Sequence, residues 1–138
     1  MVNSNVINIT CATDDNYVPY CGVMLTSVFE NHKDREENVY IMIDKPLQEA
    51  NQKKFAQLAK RYHQHIHYCY IDKSLVEDFP LYDFDHLSIA AYYRLYAAEL
   101  LPSDVNLVLY LDCDTIVNGS LIDLFKLDWT DFAVGAVA

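Results

Sequence analysis

Glycine is scarce in this chain of 138 residues: only Gly22, Gly119 and Gly135 occur, about 2% against an average usage near ~7%. They stand too far apart for a glycine-rich phosphate loop or a dinucleotide fingerprint, so any phosphate must be held by other means. Positive charge is also in deficit. Ten Lys and Arg face twenty Asp and Glu, a formal net charge of −10, so the overall field repels nucleic acid and anionic lipid surfaces. No stretch approaches the ~20 apolar residues of a membrane span, and the start MVNSNVINIT lacks the basic head and long apolar core of a secretory signal. Among Cys11, Cys21, Cys69 and Cys113 there is no C-x-x-C pair. They read as buried free thiols of a reduced, cytoplasmic protein.

What is present describes one globular α/β domain over 1–138, because the length leaves no room for a second. Apolar runs at 6–12 (VINITCA), 39–44 (VYIMID), 65–72 (HIHYCYID) and 107–112 (LVLYLD) predict strands. Helical patterns separate them. Pro19 suits a first turn, and Val23, Met24, Ser27, Val28 and Asn31 recur at helical spacing over 18–32. Pro46 opens a second helix with Ala50, Phe55, Leu58, Ala59 and Tyr62 on one face. Ser88 fits an N-cap for IAAYYRLYAAELL, stopped by Pro102. The stretch 73–86 reads as a loop with one helical turn at SLVEDF; a short helix is expected at 120–126 and a final buried strand at FAVGAVA. Strands that are apolar throughout argue for a mainly parallel sheet with helices on both faces. Ligands then lie beyond the carboxyl ends of the strands, where the chain order reverses.

Polar clusters follow the first and fourth strands on that edge. The stronger is LVLYLDCDTIV, where Asp112, Cys113 and Asp114 close an apolar run. Carboxylates at i and i+2 of an extended chain share a face, and ionising both asks for a cation. Hard oxygen ligands suit Mg²⁺ or Mn²⁺ bridged to substrate phosphates, with Cys113 pointing away between them. A solvated strand end with Asp114 capping a turn is the plain alternative. The second cluster is Asp14, Asp15, Asn16 and Tyr17: a carboxylate and an amide can pair with a base edge while a tyrosine ring stacks on its face. Such residues equally serve turns and caps. Arg94 is the sole arginine in its apolar, aromatic helix, with Ala90 and Ala98 at helical spacing, so a phosphate or an acid such as Asp112 is its expected partner. His63, His65 and His67 alternate as on one strand face, and a half-exposed strand end explains them without a metal.

Taken together, INITCATDDNYVPYCGVMLTSVFENH, HLSIAAYYRLYAAELLP and VLYLDCDTIVNGSLIDLF resemble glycosyltransferase family 8, which includes bacterial lipopolysaccharide galactosyl- and glucosyltransferases and glycogenin. The likeness runs from about Ile7 to the last residue. It implies a GT-A, Rossmann-like fold and a retaining hexosyltransferase that moves glucose or galactose from a UDP-sugar to a saccharide or lipid-linked saccharide, with Mn²⁺ or Mg²⁺. Carried over by position, Ala12, Thr13, Asp14, Asp15, Asn16 and Tyr17 resemble a uridine-binding loop. Arg94 matches a helix arginine on the donor side; Asp112, Cys113 and Asp114 match an Asp-x-Asp element whose two carboxylates hold the metal. His86 and Leu87 resemble a segment bordering the acceptor. No nucleophile is assigned.

The resemblance also implies a further segment beyond Ala138, carrying acceptor residues and a His-x-x-Gly-x-x-Lys-Pro-Trp-type motif. The 138 residues are thus expected to be the donor-binding portion of a longer enzyme, any peripheral membrane contact belonging to that later part. Two other readings stay open: a UDP-sugar-binding fragment without turnover, and a phosphatase of the haloacid-dehalogenase type, whose nucleophile element is also an Asp-x-Asp strand end. Ile116, where that second family uses Thr or Val, speaks against the phosphatase.

Overall fold

The computed structural model describes residues 6–78 and 89–136. Its centre is a four-stranded parallel sheet of order β3-β2-β1-β4, built from β1 (Val6–Ala12), β2 (Glu36–Ile43), β3 (His65–Tyr70) and β4 (Leu109–Tyr110). Helices α1 (Val18–Asn31) and α2 (Glu49–Tyr62) follow β1 and β2. Register explains the two faces. Ile7, Ile9 and Cys11 pair with Glu37, Val39 and Ile41, and all except Glu37 join Val18, Cys21, Met24, Leu25, Val28 and Phe29 of α1 in the main core. Alternate residues such as Ala12 and Met42 point the other way, against Ile71, Val76 and Tyr93.

That second face is more polar than a wholly apolar strand pattern suggests. Asn8 reaches across to the carbonyl of Leu107 at 3.2 Å, and the Thr10 hydroxyl donates to the carbonyl of Tyr40 at 2.9 Å. His65 and His67 lie here too, with His67 stacked on Tyr40 at 5.2 Å between ring centroids. His63 does not belong to the strand: it ends α2 in the left-handed region, at φ 56°.

The expected helices shift in instructive ways. Val23 is exposed, because the buried stripe of α1 runs through Val18, Cys21, Met24, Leu25, Val28 and Phe29. Helix α2 begins at Glu49, and Phe55 is its single buried residue while Ala50 is exposed. The segment after Ser88 is a 3-10 helix over Ile89–Tyr96 that widens into a short α-helix, α3 (Ala97–Leu100). In 3-10 geometry residues three apart eclipse, which brings Tyr93 and Tyr96 together onto the second core. Packing of these rings outweighs the α propensity of the alanines.

Strand β4 is shorter than its apolar run: beyond the two paired residues, only the Leu111 N–H continues toward β1, donating to Thr10 at 3.0 Å. A short helix α4 (Ile122–Phe125) follows, and 73–75 form one 3-10 turn. The strand expected at FAVGAVA is absent from the described part, 132–136. Phe132 and Val134 are exposed, and a turn closes from the Phe132 N–H to the Trp129 carbonyl at 3.0 Å. An apolar run becomes a strand only where a sheet edge pairs with it, and here no described edge does. No helix among the described residues is long and apolar enough to cross a membrane.

Candidate functional site

Chain order reverses between β1 and β4, the two strands whose carboxyl ends carry the polar clusters. Two loops meet there. After β1, the Thr13 N–H donates to the Met42 carbonyl at 3.2 Å and Asp14 turns the chain into α1. Its Oδ1 accepts from the N–H of Asn16 at 2.8 Å and of Tyr17 at 3.0 Å, the bonding of an Asx turn. This leaves the side chains of Asn16 and Tyr17 exposed at the edge, with the Tyr17 ring 5.5 Å from that of Tyr20.

After β4 the chain does not stay extended. The N–H and hydroxyl of Thr115 both donate to the Asp112 carbonyl, at 3.2 and 2.7 Å, so 112–115 is a tight turn. The shared-face argument from an extended strand is corrected accordingly: the turn, not strand alternation, presents Asp112 and Asp114, both exposed. Cys113 points inward as expected. It is buried and its thiol donates to the Ala12 carbonyl at 3.0 Å, which fastens one loop to the other.

Arg94 completes the edge from the 3-10 helix. Its Nη2 donates to Asp112 Oδ1 at 3.0 Å, and its guanidinium carbon stands 4.6 Å above the Tyr110 ring centroid. Burial pushes the Tyr110 hydroxyl well up, although Arg94 opposes this. The neutral ring thereby serves as a platform for the cation.

Asp15 stands apart from the others. Its Oδ1 accepts from the Gln48 N–H and from Asn51 Nδ2, both at 2.8 Å. These bonds, Asn51 first and Gln48 second, hold its carboxyl below the usual range. The carboxylate expected among donor contacts is thus engaged by the start of α2. His86 and Leu87 lie outside the described residues.

Ser27 and Asn31, which the helical spacing marks only as part of a helix face, and His32 brace the segment behind Asp114. The Val117 N–H donates to Ser27 Oγ at 2.9 Å, Asn31 Nδ2 donates to the Val117 carbonyl at 3.0 Å, and the Leu121 N–H donates to His32 Nε2 at 2.8 Å. Ser27 and Asn31 sit one turn apart within an otherwise apolar stripe; that polar interruption was the available signal.

A parallel sheet with polar groups gathered at its switch point is the α/β arrangement in which ligands lie beyond the carboxyl ends of the strands. Residues 8–138 match the profile of glycosyl transferase family 8, and the chain belongs to that family. It is 27% identical over 139 residues to General stress protein A of Bacillus subtilis strain 168, covering 99% of this chain and 48% of that protein. It is 27% identical over 135 residues to the lipopolysaccharide 1,3-galactosyltransferase of Salmonella typhimurium strain LT2, covering 98% and 39%. The crystal structure of galactosyltransferase LgtC in complex with donor and acceptor sugar analogs superposes with a TM-score of 0.75 at 34% identity, over 88% of this chain and 43% of that one. The fold is therefore the GT-A, Rossmann-like fold, and the phosphatase alternative falls. The chain spans about half or less of the length of these relatives.

Proposed function

We propose that the chain is the nucleotide-sugar-binding portion of a retaining hexosyltransferase that takes glucose or galactose from a UDP-sugar. The observation that carries this reading is the Arg94–Asp112 pair at the switch point, facing the β1 loop. Asp14 and Asn16 supply polar contacts to the uracil and Tyr17 its stacking surface. Asp14 spends Oδ1 on the turn, so the loop is shaped before ligand arrives. Arg94 supplies positive charge on the diphosphate side of the edge.

The donor set fits a hard divalent cation, Mn²⁺ or Mg²⁺. Asp112 and Asp114 are exposed oxygen ligands two residues apart, and the turn holds them at the edge. Two carboxylates leave room for phosphate oxygens and for ligands from elsewhere in the full protein. When bound, such an ion neutralises the diphosphate and stabilises UDP as it leaves. Cys113, between the two, anchors the turn inward. His86 and Leu87 are assigned to the acceptor side, and the acceptor to a saccharide or lipid-linked saccharide of the lipopolysaccharide type. The reaction belongs to the cytoplasm, where nucleotide sugars meet reduced thiols.

Calorimetric titration of the chain with UDP in Mn²⁺ and in EDTA tests the reading. We expect binding in Mn²⁺ that EDTA abolishes and that Asp112→Asn with Asp114→Asn weakens at least about tenfold, or ~1.4 kcal/mol. Metal-independent heat, or heat unchanged in the double variant, overturns it. UDP-hexose turnover by the full protein, with a matched acceptor, separates an enzyme from a binding unit.

A further inference from the structure

Three of the four cysteines converge beneath the nucleotide edge although they are far apart in sequence. Cys11 comes from β1, Cys21 from α1 and Cys113 from the 112–115 turn, and their Sγ atoms all lie within 4.8 Å of one another. Cys11 and Cys21 are 3.7 Å apart at sulfur. Ligand sulfurs about 2.3 Å from a tetrahedral centre stand about 3.8 Å from each other, so this edge already has the length that a bound ion requires. Pure packing does not need thiols here. Alanine or valine would fill similar space, whereas each S–H brings a donor: the Ala12 carbonyl accepts from Cys113, the Thr13 hydroxyl lies beside Cys21 and Cys113, and Cys11 faces sulfur.

We propose that Cys11, Cys21 and Cys113 form a three-sulfur site for one soft cation of the zinc class, separate from the oxygen ligands Asp112 and Asp114. Thiolate sulfur selects zinc-class ions over Mg²⁺ or Mn²⁺, so the two sites differ in chemistry as well as place. Cys113 is the entry ligand, being 7% exposed where Cys11 and Cys21 are fully buried. Exposed Asp112 and Asp114 on either side attract a cation to that entrance. On binding, the three ligating thiols release three protons to solvent, and three thiolates with the dication leave the site with one net negative charge. The fourth position is left to water or to a small external ligand. A loaded site clamps β1, α1 and the turn together under the donor edge.

The inference stands independently of the UDP-sugar reading and is tested without UDP. The reduced, metal-free chain is titrated with Co²⁺, which yields a thiolate-to-cobalt charge-transfer band only with sulfur ligands. We expect the band to saturate at one ion per chain and to bleach when Zn²⁺ displaces the cobalt. Cys21→Ala should weaken Co²⁺ binding at least about a hundredfold, more than loss of an outer-sphere partner does. Cys69→Ser and the Asp112→Asn, Asp114→Asn double variant should keep the band. Absence of the band in the wild-type chain, or its survival undiminished in Cys21→Ala, overturns the proposal. Zinc K-edge absorption of the zinc-loaded wild-type chain needs no variant. Sulfur neighbours at about 2.3 Å support the site, and a shell of oxygen and nitrogen alone refutes it.

Discussion

Arg94 Nη2 donates to Asp112 Oδ1 at 3.0 Å across eighteen residues of sequence, and both side chains remain substantially exposed. An exposed pair of this kind contributes about 1 kcal/mol or less to stability. Its position gives it another use. With its guanidinium over Tyr110, Arg94 holds positive charge beside the acids that the donor diphosphate would otherwise meet alone. Arg94→Ala should therefore shift the unfolding free energy by no more than about 1 kcal/mol yet weaken UDP binding in Mn²⁺ about tenfold. Arg94→Lys should recover part of that loss, since an ammonium keeps the charge but not the forked geometry. Unchanged UDP affinity with a fall in stability would make Arg94 a strut between helix and turn.

The same pair shows what a linear reading can reach. Arg94 stood out because neither Ala90 nor Ala98 could satisfy it along its helix, and Asp112 because it closes an apolar run; both are local signals. The brace of Ser27, Asn31 and His32 on 117–121 was out of reach, since its bonds span 86 to 90 residues and depend on the packed sheet. Likewise an Ala- and Leu-rich segment has α-helical composition, and its 3-10 form follows from where Tyr93 and Tyr96 must pack. Parallel order followed from buried strands alternating with helices. Which edge β4 joins required the register itself.

Asp15 yields a prediction about architecture. Its carboxylate ties the β1 loop to the first turn of α2 through Gln48 and Asn51. Because these bonds lower its pKa in the folded state, the stability it gives is present above the ordinary aspartate range, near ~3.9, and is lost as pH falls through its depressed folded value. Asp15→Ala should lower the thermal midpoint at pH 7 and speed hydrogen exchange at the start of α2. Asp15→Asn, which retains an acceptor oxygen, should sit between. A midpoint in Asp15→Ala equal to wild type would remove this role, and a large loss of UDP affinity without it would return Asp15 to the donor contacts.

Glu37 and His32 are both fully buried, with Glu37 Oε1 3.1 Å from His32 Nδ1. The contact has the distance of an ion pair but not its protonation. His32 Nε2 accepts the Leu121 N–H, and Nδ1 points its proton at the Val28 carbonyl, 2.8 Å away. The ring is therefore neutral, and neither carboxyl oxygen of Glu37 has a hydrogen-bond partner. Burial pushes the Glu37 carboxyl up to about 8, so it is held protonated near neutrality. Between its ordinary value and about 8 the folded chain binds the extra proton and the unfolded chain does not. Stability from this group is complete below the ordinary glutamate range, near ~4.3, and falls as pH rises through the folded value, by at most about 1.4 kcal/mol per pH unit. Glu37→Gln keeps the shape and removes the titration. Denaturant unfolding at a series of pH values should show the wild-type chain losing stability relative to Glu37→Gln across this window, by up to about 5 kcal/mol once Glu37 must ionise. Parallel curves for the two proteins would mean that the carboxyl is already ionised and paired with a charged His32.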